Sequence, residues 1–274
     1  MCSGSAEAYH DPMLWEELTA PGFRKAVREV RGVCVIPIGV IEKHGEHLPL
    51  GTDLYEGRHT AIEAAKREPA IVFPPYYFGQ IHEARHQPGA VALGGRLLLD
   101  LLFEICGEIS RNGMKKIILF NAHGGNNDFL GFFAQLALEK ERNYSLYLPR
   151  MGGELTKDQQ KLFRDKHDGH AGEGETSMMM VIRPDCVRLR DDVPAHGRPK
   201  AGLGHLPGVS NGFWWYSLHP DHYAGTATLG TAAKGRIILE SAARYLASVI
   251  RAVKGDTVVP RLAREFYRRS RKPV

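Results

Sequence analysis

Apolar positions along this chain follow two rhythms: short continuous runs, and longer stretches spaced three and four residues apart. The runs Val33–Val40, Ala70–Pro74, Lys116–Phe120, Ser145–Leu148 and Val187–Leu189 are strand candidates. Helical spacing covers Tyr55–Arg67, Arg96–Asn112, Asp128–Glu141, Glu175–Ile182 and Thr231–Val253. Strands alternating with helices predict βαβ units. The expected fold class is therefore α/β, a single domain over 1–274 with a mainly parallel sheet and helices on both faces. The Gly/Pro-rich, aromatic stretch Pro194–Tyr223 interrupts this alternation and predicts a long functional or subunit-contact loop.

Composition narrows the picture without redirecting it. Hydrophobic residues at 43% and charged residues at 24% are ordinary globular values. No apolar stretch reaches membrane-spanning length, and Met1–Pro12 lacks the basic start and apolar core of a signal peptide, so a cytoplasmic location is expected. Cys2, Cys34, Cys106 and Cys186 are scattered, without metal-binding or redox spacing. The net charge of +5 is matched by the last fourteen residues, where Arg261, Arg264, Arg268, Arg269, Arg271 and Lys272 face only Glu265. The rest of the chain is neutral overall, so the basic tail at about 256–274 reads as a solvated helix or subunit-contact arm, with no nucleic-acid partner expected.

Chemistry concentrates in three clusters. Pro37–Asp53 reads P-I-G-V-I-E-K-H-G-E-H-L-P-L-G-T-D and places Glu42, His44 and Asp53 within one loop that follows an apolar run. Two carboxylates and an imidazole are the ligand types of Zn²⁺, Mn²⁺ or Fe²⁺. Glu42 and His44, two apart in extended chain, point the same way, and Pro49 and Gly51 favour a turn that returns Asp53 to them. Asn121–Asn127, N-A-H-G-G-N-N, follows another strand candidate; Gly124 and Gly125 permit close backbone approach to a ligand beside His123. Asp168–Ser177, D-G-H-A-G-E-G-E-T-S, opens a helix. Glu173 and Glu175 suit a helix N-terminus, but His170 has no such reason to be there, and with a neighbouring carboxylate it makes an acid/base candidate. The first two clusters fall at carboxyl ends of predicted strands, where open α/β sheets bind ligands.

Together these clusters resemble the creatininase (creatinine amidohydrolase) family, with G-T-A-T-L-G-T-A-A-K-G at Gly225–Gly235 as a weaker echo. The resemblance spans about residues 14–235 and implies a hydrolase holding one or two divalent metal ions. Carried over by position, Glu42 and His123 would hold one ion, His44 the other, and Asp53 both. Creatininase itself has a carboxylate where this chain has Gly125, so Glu175 is expected to complete the second site. His170 matches the family histidine that moves a proton near the leaving group, with Glu175 beside it. The resemblance also implies a homo-oligomer, a hexamer or smaller symmetric assembly. No Ser or Cys nucleophile is required, and no G-x-S-x-G elbow is present.

Substrate is addressed by Gly79–Gly89, G-Q-I-H-E-A-R-H-Q-P-G, against a family pattern G-x-S-x-E-H-x-x-F-P-G. Glu83 and Pro88–Gly89 match, while Ile81, Ala84 and Gln87 depart. Glu83, Arg85, His86 and Gly124 are the expected substrate contacts, suited to a small polar, hydroxylated or anionic molecule. Trp214 and Trp215 are candidates to wall a flat or cyclic one. Three functions stand open: hydrolysis of a cyclic amide or formamide C–N bond, hydrolytic C–C ring opening of a keto-inositol-like polyol, and metal-dependent binding without catalysis.

Overall fold

The computed structural model describes residues 9–190, 194 and 196–273. Five strands, β1 (Met13–Leu14), β2 (Val33–Ile38), β3 (Ile71–Val72), β4 (Lys116–Asn121) and β5 (Ser145–Tyr147), form one sheet in the order β1-β3-β2-β4-β5. Every pairing is parallel. Nine helices accompany them among the described residues: α1 (Ala20–Glu29), α2 (Thr52–Arg67), α3 (Gly95–Arg111), α4 (Asn126–Leu136), α5 (Lys157–Gln160), α6 (Glu173–Ile182), α7 (Trp214–Leu218), α8 (Ala232–Gly255) and α9 (Val258–Ser270).

The period of two in the strands builds two cores. Cys34, Ile36 and Ile38 of β2, with Ile117 and Leu119 of β4, pack with α1, α3 and α4 through Ala26, Leu102, Ile109 and Phe133. Val33, Val35, Ile118 and Phe120 point the other way, onto Ala61, Ala64 and Ala65 of α2 and Leu246 and Ile250 of α8. Burial on both faces explains why these strands read as continuous apolar runs rather than alternating ones. Cys34 and Cys106 are free thiols within the first core, and burial pushes Cys106 up to about 12.

Four expectations need correction. Val187–Leu189 is not a strand; it follows a 3₁₀ turn at Pro184–Cys186, and Arg188 N–H donates to the His47 carbonyl, outside any ladder. Asp128–Glu141 starts earlier, at Asn126, and tightens into a 3₁₀ turn at Ala137–Glu139. Asp53 does not sit in a loop but in the first turn of α2, since the Thr52 hydroxyl donates to the Pro49 carbonyl and helix begins at once. The described part of Pro194–Tyr223 holds the short helix α7; residue 195 lies outside the described residues. The basic tail is helical as α9, with the Tyr267 hydroxyl donating to the Lys140 carbonyl at 2.8 Å.

From β2 the chain passes to β3 on one side and then crosses to β4 on the other, so a topological switch lies between β2 and β4. Their ends are in register, Ile38 against Asn121. The loops leaving these two ends carry the first two chemical clusters into one crevice.

Candidate metal centre

The six functional side chains reach the crevice from four segments. Glu42 and His44 come from the loop after β2, His123 from the turn between β4 and α4, Asp53 from α2, and His170 and Glu175 from the entry to α6. Gly39 makes the Asp53 position possible. A Cβ there would lie 2.6 Å from Leu54 N and 2.8 Å from the Asp53 carbonyl carbon, so only glycine lets the start of α2 press against the end of β2.

Asp53 stands at the centre. Its Oδ2 lies 3.0 Å from His123 Nδ1, which is also 2.7 Å from Glu42 Oε1. Its Oδ1 lies 3.0 Å from His44 Nε2, which is 3.9 Å from Glu175 Oε2. His44 Nδ1 lies 3.2 Å from the Glu42 carbonyl; donating there leaves Nε2 bare and facing the carboxylates. Glu42, His44, Asp53 and His123 are all at most 6% exposed. The structure thus brings together every residue expected to hold metal.

The donor set fits a cation. Glu42 Oε1 and Asp53 Oδ2 are buried acceptors without a hydrogen bond, both aimed at the same Nδ1. One nitrogen cannot serve two carboxylates, whereas ligand atoms about 3 Å apart are the edges of a coordination shell with bonds of about 2.1 Å. Glu42–Asp53–His123 and His44–His170–Glu175 each offer ligand atoms within 4.8 Å of one another.

Electrostatics says the same. Burial opposes charge on His44, yet Asp53, Glu175 and Glu42 outweigh it and push its pKa up to about 10. His123 is likewise raised, by Glu42 and Asp53 against burial. Burial alone would raise Glu42, but His123 and the His222 hydrogen bond contribute to holding it well below the usual carboxylate range. In the metal-free protein, protons on the two imidazoles occupy the role of cations. Glu175 is pushed up to about 7 by burial and by Asp53, against His44.

His170 differs from the other histidines. Burial, together with His44 and His222, drives it down to about 3. Its Nε2 donates to the Lys43 carbonyl at 2.8 Å, which fixes the tautomer and leaves Nδ1 as the basic nitrogen of a neutral ring. Glu173 faces away from the crevice; its Oε2 accepts the Arg164 and Asp165 amides and Oε1 pairs with Lys234.

A cavity of about 680 Å³ opens over the cluster. Glu42, Asp53, His123, His170 and Glu175 form its floor, and Gln80, Glu83, Gly124, Asn127, Phe129, Met151, Trp214 and Trp215 contribute to its walls. Glu83 and Gly124 thus stand where a substrate contact requires. Arg85 and His86 do not. Ile81 and Ala84 are buried in a 3₁₀ turn, which sends Arg85 to solvent, and His86 Nε2 instead meets the Pro220 carbonyl at 2.7 Å. Among the described residues no Lys or Arg lines the cavity.

Two buried groups were missed from sequence. His222 bonds Glu42 from 180 residues away, a separation no local pattern reveals. Glu56, one helical turn after Asp53, is a buried carboxylate raised well above its usual range by burial and by Glu175, Asp53 and Asp168. Its i, i+3 spacing from Asp53 was a readable signal.

Fold and cluster define a class: α/β proteins with a carboxylate–histidine centre at the switch point of a parallel sheet. Residues 16–250 match the family model for creatininase, creatinine amidohydrolase, and the chain belongs to that family of hydrolytic enzymes. Creatinine amidohydrolase of Pseudomonas putida is 26% identical, over 90% of this chain and 97% of its own. The mycofactocin precursor peptide peptidase of Mycolicibacterium smegmatis is 28% identical, over 84% and 89%. The 3-dehydro-scyllo-inosose hydrolase of Thermotoga maritima is 25% identical, over 84% and 81%. Among solved structures, creatinine amidohydrolase aligns with a TM-score of 0.76 at 24% identity, covering 90% of this chain and 100% of that one. A zinc–zinc form of a creatininase variant aligns at 0.75 with 24% identity, covering 90% and 100%, and a manganese creatininase at 0.72 with 23%, covering 89% and 100%.

Proposed function

We propose that this chain hydrolyses the C–N bond of a compact, uncharged amide, cyclic or formyl, at a centre of one or two divalent ions, Zn²⁺ or Mn²⁺. The observation that carries this reading is the division of Asp53, one oxygen toward Glu42 and His123 and the other toward His44 and Glu175. Glu42, Asp53 and His123 would hold one ion; His44, Asp53 and Glu175 the other. Bound there, such ions supply a hydroxide at neutral pH and polarise a carbonyl. His170, neutral and with Nδ1 free, takes the proton from the attacking water and returns it to the departing nitrogen. Trp214, Trp215 and Phe129 suit a flat ring or acyl plane, and Gln80, Glu83 and the Gly124 backbone supply its polar partners. By family resemblance the protein works as a symmetric homo-oligomer.

A second reading, C–C ring opening of a keto-inositol-like polyol, is supported by the Thermotoga relative and by Gln80, Glu83 and Asn127, which match hydroxyls. Screening the zinc- and manganese-loaded protein against cyclic amides, formamides and keto-inositols separates the two. Appearance of a new amino group, freed from a formamide or exposed at the opened end of a cyclic amide, supports the first, while turnover confined to keto-inositols overturns it in favour of the second.

A further inference from the structure

We infer that Trp215 and His222 form a positioning relay that aims Glu42 at its ion and ties ion binding to the order of the cavity wall. The inference rests on the metal site proposed above and not on the reaction.

His222 is held on every side. It is 1% exposed and adopts a φ of 54°, in the left-handed region that non-glycine residues seldom occupy unless their surroundings demand it. Its amide donates to the His219 carbonyl at 3.0 Å, and its own carbonyl accepts from Gly45 N–H at 3.2 Å. Both ring nitrogens are engaged as well: Trp215 Nε1 lies 3.1 Å from Nδ1, and Glu42 Oε2 lies 2.6 Å from Nε2.

These two contacts decide where the ring proton sits. An indole nitrogen can only donate, so Nδ1 must be a bare acceptor, and the proton is on Nε2, donated to Glu42 Oε2. This settles a second question. Glu42, His170 and His222 could hold a metal by proximity, their ligand atoms lying within 4.8 Å. A protonated Nε2 cannot ligate, so His222 orients a ligand rather than being one. With Oε2 committed to His222, Oε1 is left to face His123 and Asp53, the direction the ion requires. The donor at the head of the relay also belongs to the cavity: Trp215 lines it and meets the His170 ring edge-on at 5.7 Å. An ion drawing on Glu42 therefore favours the Trp215 orientation that donates to His222, and by linkage an ordered Trp215 tightens the ion.

The test is zinc binding to the metal-free full-length protein, by competition with a chromophoric chelator, for wild type, W215F, H222N and the double variant. Phe keeps the packing of Trp215 without its N–H, and Asn tolerates a left-handed backbone. H222N should weaken zinc about tenfold to a hundredfold. W215F should weaken it about twofold to tenfold, the loss of one hydrogen bond. In the H222N background the W215F substitution should then change nothing, because the shorter Asn no longer carries the Trp215 bond on to Glu42. Zinc should also shift tryptophan fluorescence in wild type and not in H222N. Equal W215F factors in both backgrounds, or wild-type zinc affinity in W215F, overturn the relay. If H222N does not fold, W215F decides alone, a twofold to tenfold loss sustaining the relay. Activity enters none of these measurements, so failure of the hydrolase reading leaves the outcome intact.

Discussion

Asp53 and His170 occupy the same crevice in different roles, and single substitutions should separate them. Asp53→Ala removes an oxygen from each ligand group, so metal per protomer should fall at both sites. His44→Ala should leave the Glu42–His123 ion in place, and elemental analysis of the purified variants distinguishes the two. Equal stoichiometry in both would show that Asp53 is not shared. His170→Ala should retain metal and lose about 10²–10⁴ in kcat, the usual worth of a positioned acid/base. A variant with full turnover would remove His170 from the reaction. Protonation gives a further expectation. His44 is raised to about 10 and His123 is raised too, so at pH 7 the metal-free centre carries protons that an ion must displace. Apparent affinity should therefore rise with pH, with about two protons released per loaded centre, read by calorimetry in buffers of different ionisation enthalpy. Affinity flat between pH 6 and 8 would contradict the assignment.

At the scale of elements, the site depends on how closely α2 approaches the end of β2. Gly39→Ala places a Cβ 2.6 Å from Leu54 N, a contact that the helix start must yield to. Overpacking of this kind costs about 1–3 kcal/mol. Because the displaced segment carries Asp53, metal affinity should drop along with the melting temperature. Thermal melts and zinc titrations of the same variant check this, and a variant losing stability while keeping zinc affinity would show that Asp53 is positioned by something else. The helices and central strands were readable because apolar spacing reports burial: β2 and β4 lie under helices on both faces and need continuous apolar runs. The two-residue β1 is too short to show a period, whereas β3 falls within the apolar run Ala70–Pro74; Val187–Leu189 has strand composition but joins no strand of the sheet.

For the whole molecule, an ion held at this centre would be a cross-link. It would join the loop after β2 and the start of α2, which follow one another in the chain, to the turn after β4 and the entry to α6, which lie far from them in sequence. Whatever binds the folded chain alone stabilises it by mass action, about 4 kcal/mol at a thousandfold excess over Kd. Chelation should accordingly lower the melting temperature by on the order of 10 °C, and added Zn²⁺ or Mn²⁺ should restore it. A melting temperature indifferent to both treatments would mean that the cluster holds no structural share of the fold.

The motifs around Glu42, His44, Asp53, His123 and His170 were legible in the sequence because metal and proton chemistry restrict both residue type and local spacing. Apolar periodicity determined the α/β class for a similar reason, since a sheet covered on both faces leaves few arrangements of helix and strand. Tertiary structure alone decided what lies far apart along the chain. It brought His222 onto Glu42 across 180 residues, set Trp215 against His222, and turned Arg85 out of the cavity that Glu83 lines. Residue type and spacing describe neighbours within an element. Which side chains share a crevice depends on strand order and on the handed crossovers that place β2 beside β4, and no local pattern encodes these.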